Sequence, residues 1–259
     1  MDKALASIMD WWADVGVDVP EIAPMRAKAR PAKARNNAAA PKNKSVAKAP
    51  AAPKVDTPRP IKDAAPIAAK AKTLGELKTA MDSYEAGALS DHARQCVFAR
   101  GNPESGLMLI GEAPGREEDR AGKPFIGPAG QLLDKMLASI GLSEDEFYIT
   151  NIVNWRPPKK RNPTQDEIEM CRPFLNRHIE LAAPKLIVLI GGVSLSAMTG
   201  ETGIVKKRGQ WQELQINGTS YPALPIYHPA FLLRQPLLKK DAWRDLLSLR
   251  EKLGALKES

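Results

Sequence analysis

Residues 107–130, LMLIGEAPGREEDRAGKPFIGPAG, constrain the fold of this chain more than any other stretch. The apolar run from Leu107 to Ile110 is short and suits a buried parallel strand. It stops at Gly111-Glu112-Ala113-Pro114-Gly115, where glycine and proline force a tight turn and let backbone approach a ligand. Acids follow at Glu117, Glu118 and Asp119, then an isolated aromatic, Phe125, in a loop punctuated by Gly and Pro. Gly130-Gln131-Leu132-Leu133 then opens an amphipathic helix. A strand that delivers a carboxylate, a turn and an aromatic to its C-terminal end has the layout of an α/β active site.

The rest of the chain repeats this alternation. Thr73 with Glu76 reads as a capping box, followed by the apolar face of Leu77, Met81 and Tyr84. Residues 147–153 form a β-branched and aromatic strand, and Thr164 with Glu167 caps a helix over 165–182. Residues 186–190, LIVLI, are the plainest buried strand, ending in Gly191-Gly192. Residues 211–216 and 221–227 supply the last strands and 238–253 the closing helix. Strands alternating with helices predict a parallel sheet with helices on both faces.

Composition narrows the setting. Hydrophobic residues make up 43% of the chain, enough for a full core, and no apolar run approaches the ~20 residues of a membrane span. The first residues lack the pattern of a secretory signal, and the cysteines, Cys96 and Cys171, define no disulfide framework, so a reducing cytoplasm is expected. The net charge of +8 is unevenly spread, because residues 26–72 carry thirteen Lys/Arg against Asp56 and Asp63. Three regions follow. Residues 1–24 hold Leu5, Ile8, Met9 and Trp12 at helical spacing, a helix that either packs on its own domain or docks on a partner protein. Residues 25–72, rich in Ala, Lys and Pro, are expected to be disordered, either a spacer or a basic tether for DNA. Residues 73–259 form the folded domain.

The opening stretch resembles the family 4 uracil-DNA glycosylases. Ile149-Thr150-Asn151, the run from Trp155-Arg156-Pro157-Pro158 to Cys171-Arg172-Pro173-Phe174-Leu175, and His228-Pro229-Ala230-Phe231-Leu232-Leu233-Arg234 extend the match, in order, over roughly residues 80–250. The resemblance implies a three-layer α/β/α fold with a central, mainly parallel four-stranded sheet. It also implies uracil-containing DNA as substrate, abasic-site DNA as product and base-excision repair as the setting. Uracil would lie among Ala113, Glu118, Phe125 and Asn151. The Asn151 amide suits the edge of uracil and Phe125 its face. Glu118 either orients the loop or lies near the base. Glu112 and His228 are the expected catalytic pair. The acid would place water and stabilise the cationic sugar, and the neutral imidazole would donate to uracil O2. DNA contacts fall to Gly127, Gly130 and Gln131 at a helix start, to the basic loop Lys206, Lys207 and Arg208, and to Leu232, Leu233 and Arg234 as wedge and phosphate contact. Where the family often has Ser, this chain has Ala129.

The chain departs from the family at its metal. Family 4 enzymes are described with a four-iron cluster on four cysteines. Of those positions only Cys171 carries one here, while Trp155 stands before Arg156-Pro157-Pro158 and none falls near 87–90. No cofactor and no metal are therefore expected, with Trp155 filling the cluster volume. Some relatives trap the abasic site covalently through a histidine in the loop after the third strand. Residues 202–211 have none, so turnover rather than covalent trapping is expected. The matched motifs hold no plausible amine nucleophile, so a monofunctional enzyme is expected, with Lys206 and Lys207 keeping this open; a monomer is expected as well. The competing readings are a non-catalytic or product-retaining lesion binder of the same fold, and a small-molecule nucleotide hydrolase.

Overall fold

The computed structural model describes residues 63–257. The expected N-terminal helix over 1–24 and residues 25–62 of the expected linker lie outside them. The end of that linker is structured, which corrects the boundary at 72. A helix, α1 (Ala64–Lys70), starts at Asp63, whose side chain accepts from the Ala65 N–H at 2.9 Å. Ala64, Ala68 and Ala71 are buried, and the Arg177 guanidinium donates to Ala71 O at 2.9 Å. Small side chains let α1 lie close against a longer helix, so an alanine-rich segment packs without large apolar residues.

Half of the expected capping box opens α2 (Leu74–Asp82): the Glu76 N–H donates to Thr73 Oγ1 at 3.1 Å, while the Glu76 carboxylate accepts from the Lys72 N–H at 2.6 Å and not from Thr73. A short helix, α3 (Ala88–His92), leads to the two-residue strand β1 (Arg100–Gly101). The main alternation follows as β2 (Leu107–Gly111), α4 (Arg116–Ala121), α5 (Pro128–Ala138), β3 (Tyr148–Asn151), α6 (Gln165–Ala182), β4 (Leu186–Ile190) and α7 (Gly191–Thr199). The chain continues with α8 (Ile204–Lys207), β5 (Gln212–Ile216), β6 (Thr219–Ile226), α9 (Pro229–Arg234) and α10 (Lys239–Lys257). Helix α5 begins at Pro128, earlier than the apolar pattern suggests, because proline suits the first helical position.

The sheet has six strands in the order β1-β3-β2-β4-β6-β5. Its centre, β3-β2-β4-β6, is the expected set of four parallel strands. The short edge strands β1 and β5 pair antiparallel and extend the four-stranded expectation to six. Strand β5 joins β6 through Asn217-Gly218, both at positive φ (48° and 86°), the backbone of a type I′ hairpin turn.

The strand pleat sorts the core into two layers. Met108, Ile110, Ile187 and Leu189 pack with α6 residues such as Phe174 and Ile179. Leu107, Leu109, Val188 and Ile190 pack with Leu133 and Met136 of α5 and Trp243 and Leu246 of α10. Because both faces are covered, β2 and β4 are buried along their whole length, which is why they read as unbroken apolar runs. Ligands in such sheets bind beyond the C-terminal strand ends, where the order reverses around the first central strand. Here those ends are Gly111, Asn151, Ile190 and Ile226.

Candidate active site

A cavity of about 190 Å³ opens at these strand ends, lined by Ala113, Gly115, Glu118, Phe125, Ala129, Asn151 and His228. The sheet sets its walls by close approach. A Cβ on Gly111 would lie 2.4 Å from Phe125 Cε2 and 2.5 Å from Asn151 Oδ1, so only glycine lets ring and amide meet at the end of β2. Gly191, at φ +89°, serves likewise, since a Cβ there would lie 2.9 Å from His228 Cβ.

The Phe125 ring has two environments. It belongs to the core layer with α5 and also forms a cavity wall, with its centroid 5.8 Å from that of His228 and the planes 30° apart. The sequence placed it in a loop away from the core, whereas it is 7% exposed. Its backbone is left-handed, φ 53°, a conformation that costs a non-glycine residue on the order of 1 kcal/mol or more. Two features hold it there. Gly130 passes so close that a Cβ would overlap Phe125 O, and the Arg100 side chain donates to the carbonyls of Pro124 (2.9 Å) and Phe125 (3.1 Å). Sequence reading passed over Arg100, because bonds from a side chain to a distant backbone leave no pattern in the residues.

Asn151 and His228 face the cavity in complementary states. Asn151 is 2% exposed, and its Oδ1 is a buried acceptor without a hydrogen-bond partner among the described residues. Such an atom costs about 1–3 kcal/mol unless a ligand supplies a donor. His228 caps α9, with its Nδ1 accepting from the Ala230 N–H at 3.1 Å. Burial, with Arg234 adding to it and Glu118 opposing, holds the imidazole pKa down at about 4. The ring is thus neutral at pH 7, and because Nδ1 accepts, Nε2 carries the proton.

The acids divide otherwise than expected. Glu118 Oε1 accepts from the Ile126 N–H (3.1 Å) and the Gly127 N–H (2.8 Å), tying α4 to the start of α5. Of its two readings, orientation of the loop is realised, and its carboxylate also lines the cavity. This corrects the expected phosphate contact at Gly127, since its N–H is taken by a carboxylate that repels phosphate. Gly130 is buried against Phe125 O, whereas Gln131 is exposed. Asp119 is buried, accepting from the Arg94 N–H at 2.7 Å. Glu112 is half-buried and outside the set of lining residues, on the turn leaving β2. Burial raises its carboxyl above the usual range.

The surface around the mouth also departs from expectation. Leu232 is fully buried in the layer with α5 and α10 and cannot enter a duplex, whereas Leu233 is 47% exposed and Arg234 is exposed. In the basic loop Lys206 is exposed, but Lys207 pairs with Glu201 at 2.7 Å. Arg208 is bound to Asp245 and Asp241 O and lies over the Tyr227 ring, so it anchors α10 and is not free for phosphate. A second slot of about 200 Å³ lies beside His228, against Tyr227, Phe231 and Ile204.

The residues at the family's cluster position do not fit an iron–sulfur group. Trp155 is buried with its centroid 6.0 Å from Tyr84 and 6.5 Å from Phe174, and these rings close at 4.9 Å. Cys171 is buried among them, its thiol pushed up to about 12 by burial, far from the thiolate a metal requires. Among the described residues no group of three His, Cys, Asp or Glu side chains could hold a metal ion.

The model of the uracil DNA glycosylase superfamily matches residues 98–247. The type-4 uracil-DNA glycosylase of Sulfurisphaera tokodaii is 37% identical over 185 residues, spanning 69% of this chain and 84% of that protein. Those of Archaeoglobus fulgidus (38% over 159 residues, 60% and 80%) and Saccharolobus solfataricus (39% over 168 residues, 62% and 78%) are similar to it at the same level. This chain belongs to the uracil-DNA glycosylase superfamily.

Proposed function

We propose that this chain hydrolyses the N-glycosidic bond of uracil in DNA, releasing the base and leaving an abasic site as the first step of base-excision repair. The observation that carries this reading is the orphaned Asn151 Oδ1 in a small cavity. Uracil presents an N–H donor beside a carbonyl, so one amide satisfies both, while cytosine reverses the pattern. The Phe125 ring stacks on the flipped base, contributing roughly 1–3 kcal/mol. As the glycosidic bond stretches, negative charge builds on the base, and the Nε2–H of neutral His228 donates to uracil O2. No proton needs to move, because the pKa near 4 keeps the imidazole a donor without charge. Glu112, at the turn beside the cavity, places the water and offsets the cationic sugar.

Arg234 and Lys206 hold phosphate, and Leu233 fills the stack that the base leaves. The protein acts as a cytoplasmic monomer, and its N-terminal region serves for DNA tethering and a protein partner. The test is incubation with single- and double-stranded uracil oligonucleotides, then alkali and a denaturing gel. Strand breaks confined to uracil positions are expected, and intact strands would contradict the reading.

A further inference from the structure

Arg100 does not line the cavity and is bonded to its wall through the backbone of Phe125. Its side chain is 6% exposed, and four of its five N–H donors are committed. Nε donates to Pro124 O and Nη2 to Phe125 O, while the same guanidinium pairs with Asp134 on α5 and with Glu144, both at the surface. The guanidinium also lies over the Phe147 ring, 5.4 Å from its centroid. The segment so held includes the one left-handed residue of the cavity wall, Phe125 at φ 53°. In front, the ring is stopped by Gly111 Cα and Asn151. A planar fork can hold two successive carbonyls and carboxylates at once, and an ammonium cannot.

We propose that Arg100 is the positioning residue for the base-stacking surface: by holding the carbonyls of residues 124 and 125 it fixes the height of the phenyl ring above the uracil plane. The proposal rests on Phe125 being that stacking surface. Uracil affinity is then set in part by an ion-pair network through the exposed Asp134 and Glu144, neither of which lines the cavity.

The test compares Arg100→Lys, Phe125→Ala and the double variant by KM and kcat on a single-stranded uracil oligonucleotide, by inhibition with free uracil, and by Tm. Arg100→Lys is expected to raise KM and the uracil inhibition constant about tenfold, the scale of most of one stack, with kcat changed less than about threefold. In the Phe125→Ala background the same change should add nothing. Unchanged constants in Arg100→Lys, or a full further effect on top of Phe125→Ala, would overturn the proposal. If Phe125→Ala itself leaves uracil inhibition unaltered, the stacking reading fails and takes the proposal with it. Should Arg100→Lys not fold, Asp134→Asn removes one anchor of the same guanidinium from an exposed position. A rise in KM of about two- to threefold is then expected, absent in the Phe125→Ala background, and no rise overturns the proposal.

Discussion

The Phe125 ring approaches Gly111 so closely that a methyl group there would sit 2.4 Å from a ring carbon and 2.5 Å from the Asn151 amide oxygen. One backbone position thus spaces the groups proposed to stack on the base and to read its edge. Gly111→Ala should push them apart at an overpacking cost of roughly 1–3 kcal/mol. The expected result is a KM raised about tenfold or more with the fold retained by circular dichroism. An unchanged KM would show that the spacing is not used.

Asn151 separates stability from activity. Asn151→Leu removes a buried acceptor with no partner among the described residues and keeps the volume, so Tm should hold or rise. Its kcat/KM on uracil DNA should fall about 100-fold or more, the scale of two lost buried hydrogen bonds. A drop in Tm with activity intact would assign the amide to the fold.

Acid should act on activity through a low pKa. Burial holds the His228 imidazole down at about 4, so the ring stays neutral well below the ordinary histidine range. Glu112 carries a raised carboxyl and adds an acid limb of its own. The kcat profile of Glu112→Gln should therefore stay flat until roughly pH 5 as far as His228 is concerned. A limb centred near 6.5 in that variant would show an imidazole that is not desolvated.

Acid should act on stability through His178. This ring is buried, stacked on Phe98 at 4.3 Å and bonded to Tyr148 Oη at 2.9 Å, and burial lowers its pKa to about 3. Above the unfolded value of about 6.5 neither state binds the proton, and the full stability is present. As pH falls from there towards 3, only the unfolded chain takes it up, and stability is lost at up to about 1.4 kcal/mol per pH unit. Denaturant titrations of His178→Phe/Tyr148→Phe, which replaces both partners, should show a correspondingly flatter acid limb.

How much of this was legible in the residues depended on where their partners lie. Strands β2 and β4, the caps at Thr73 and Thr164, and the gathering of Phe125, Asn151 and His228 beyond the strand ends follow from local pattern and motif order. The fate of Arg208 does not, because Asp245 lies 37 residues beyond it and only the fold joins them. Leu232 and Leu233 are adjacent, and only the docking of α9 decides which is buried. Helix α1 escaped notice because alanines in a charged, proline-rich stretch give no amphipathic signal. The hairpin at Asn217-Gly218 did carry a readable turn signature, and Glu112 shows that a strand-end acid can stand beside a cavity without lining it.

Trp155 offers a check on the metal. Its ring shares the core with Tyr84 and Phe174, so Trp155→Ala should cost about 3–5 kcal/mol. Protein grown with excess iron should show no iron-dependent band near about 400 nm, and Trp155→Cys should not create one. Such a band in the unaltered protein would place a cluster where the rings now pack.

The most direct measurement of the central claim is mass spectrometry of a uracil oligonucleotide incubated with a substoichiometric amount of the full chain. Free uracil and an abasic strand should appear in equal amounts and in excess over protein, with no protein–DNA adduct that survives SDS. Bound but intact oligonucleotide, or product capped at one per protein molecule, would contradict a turning-over glycosylase.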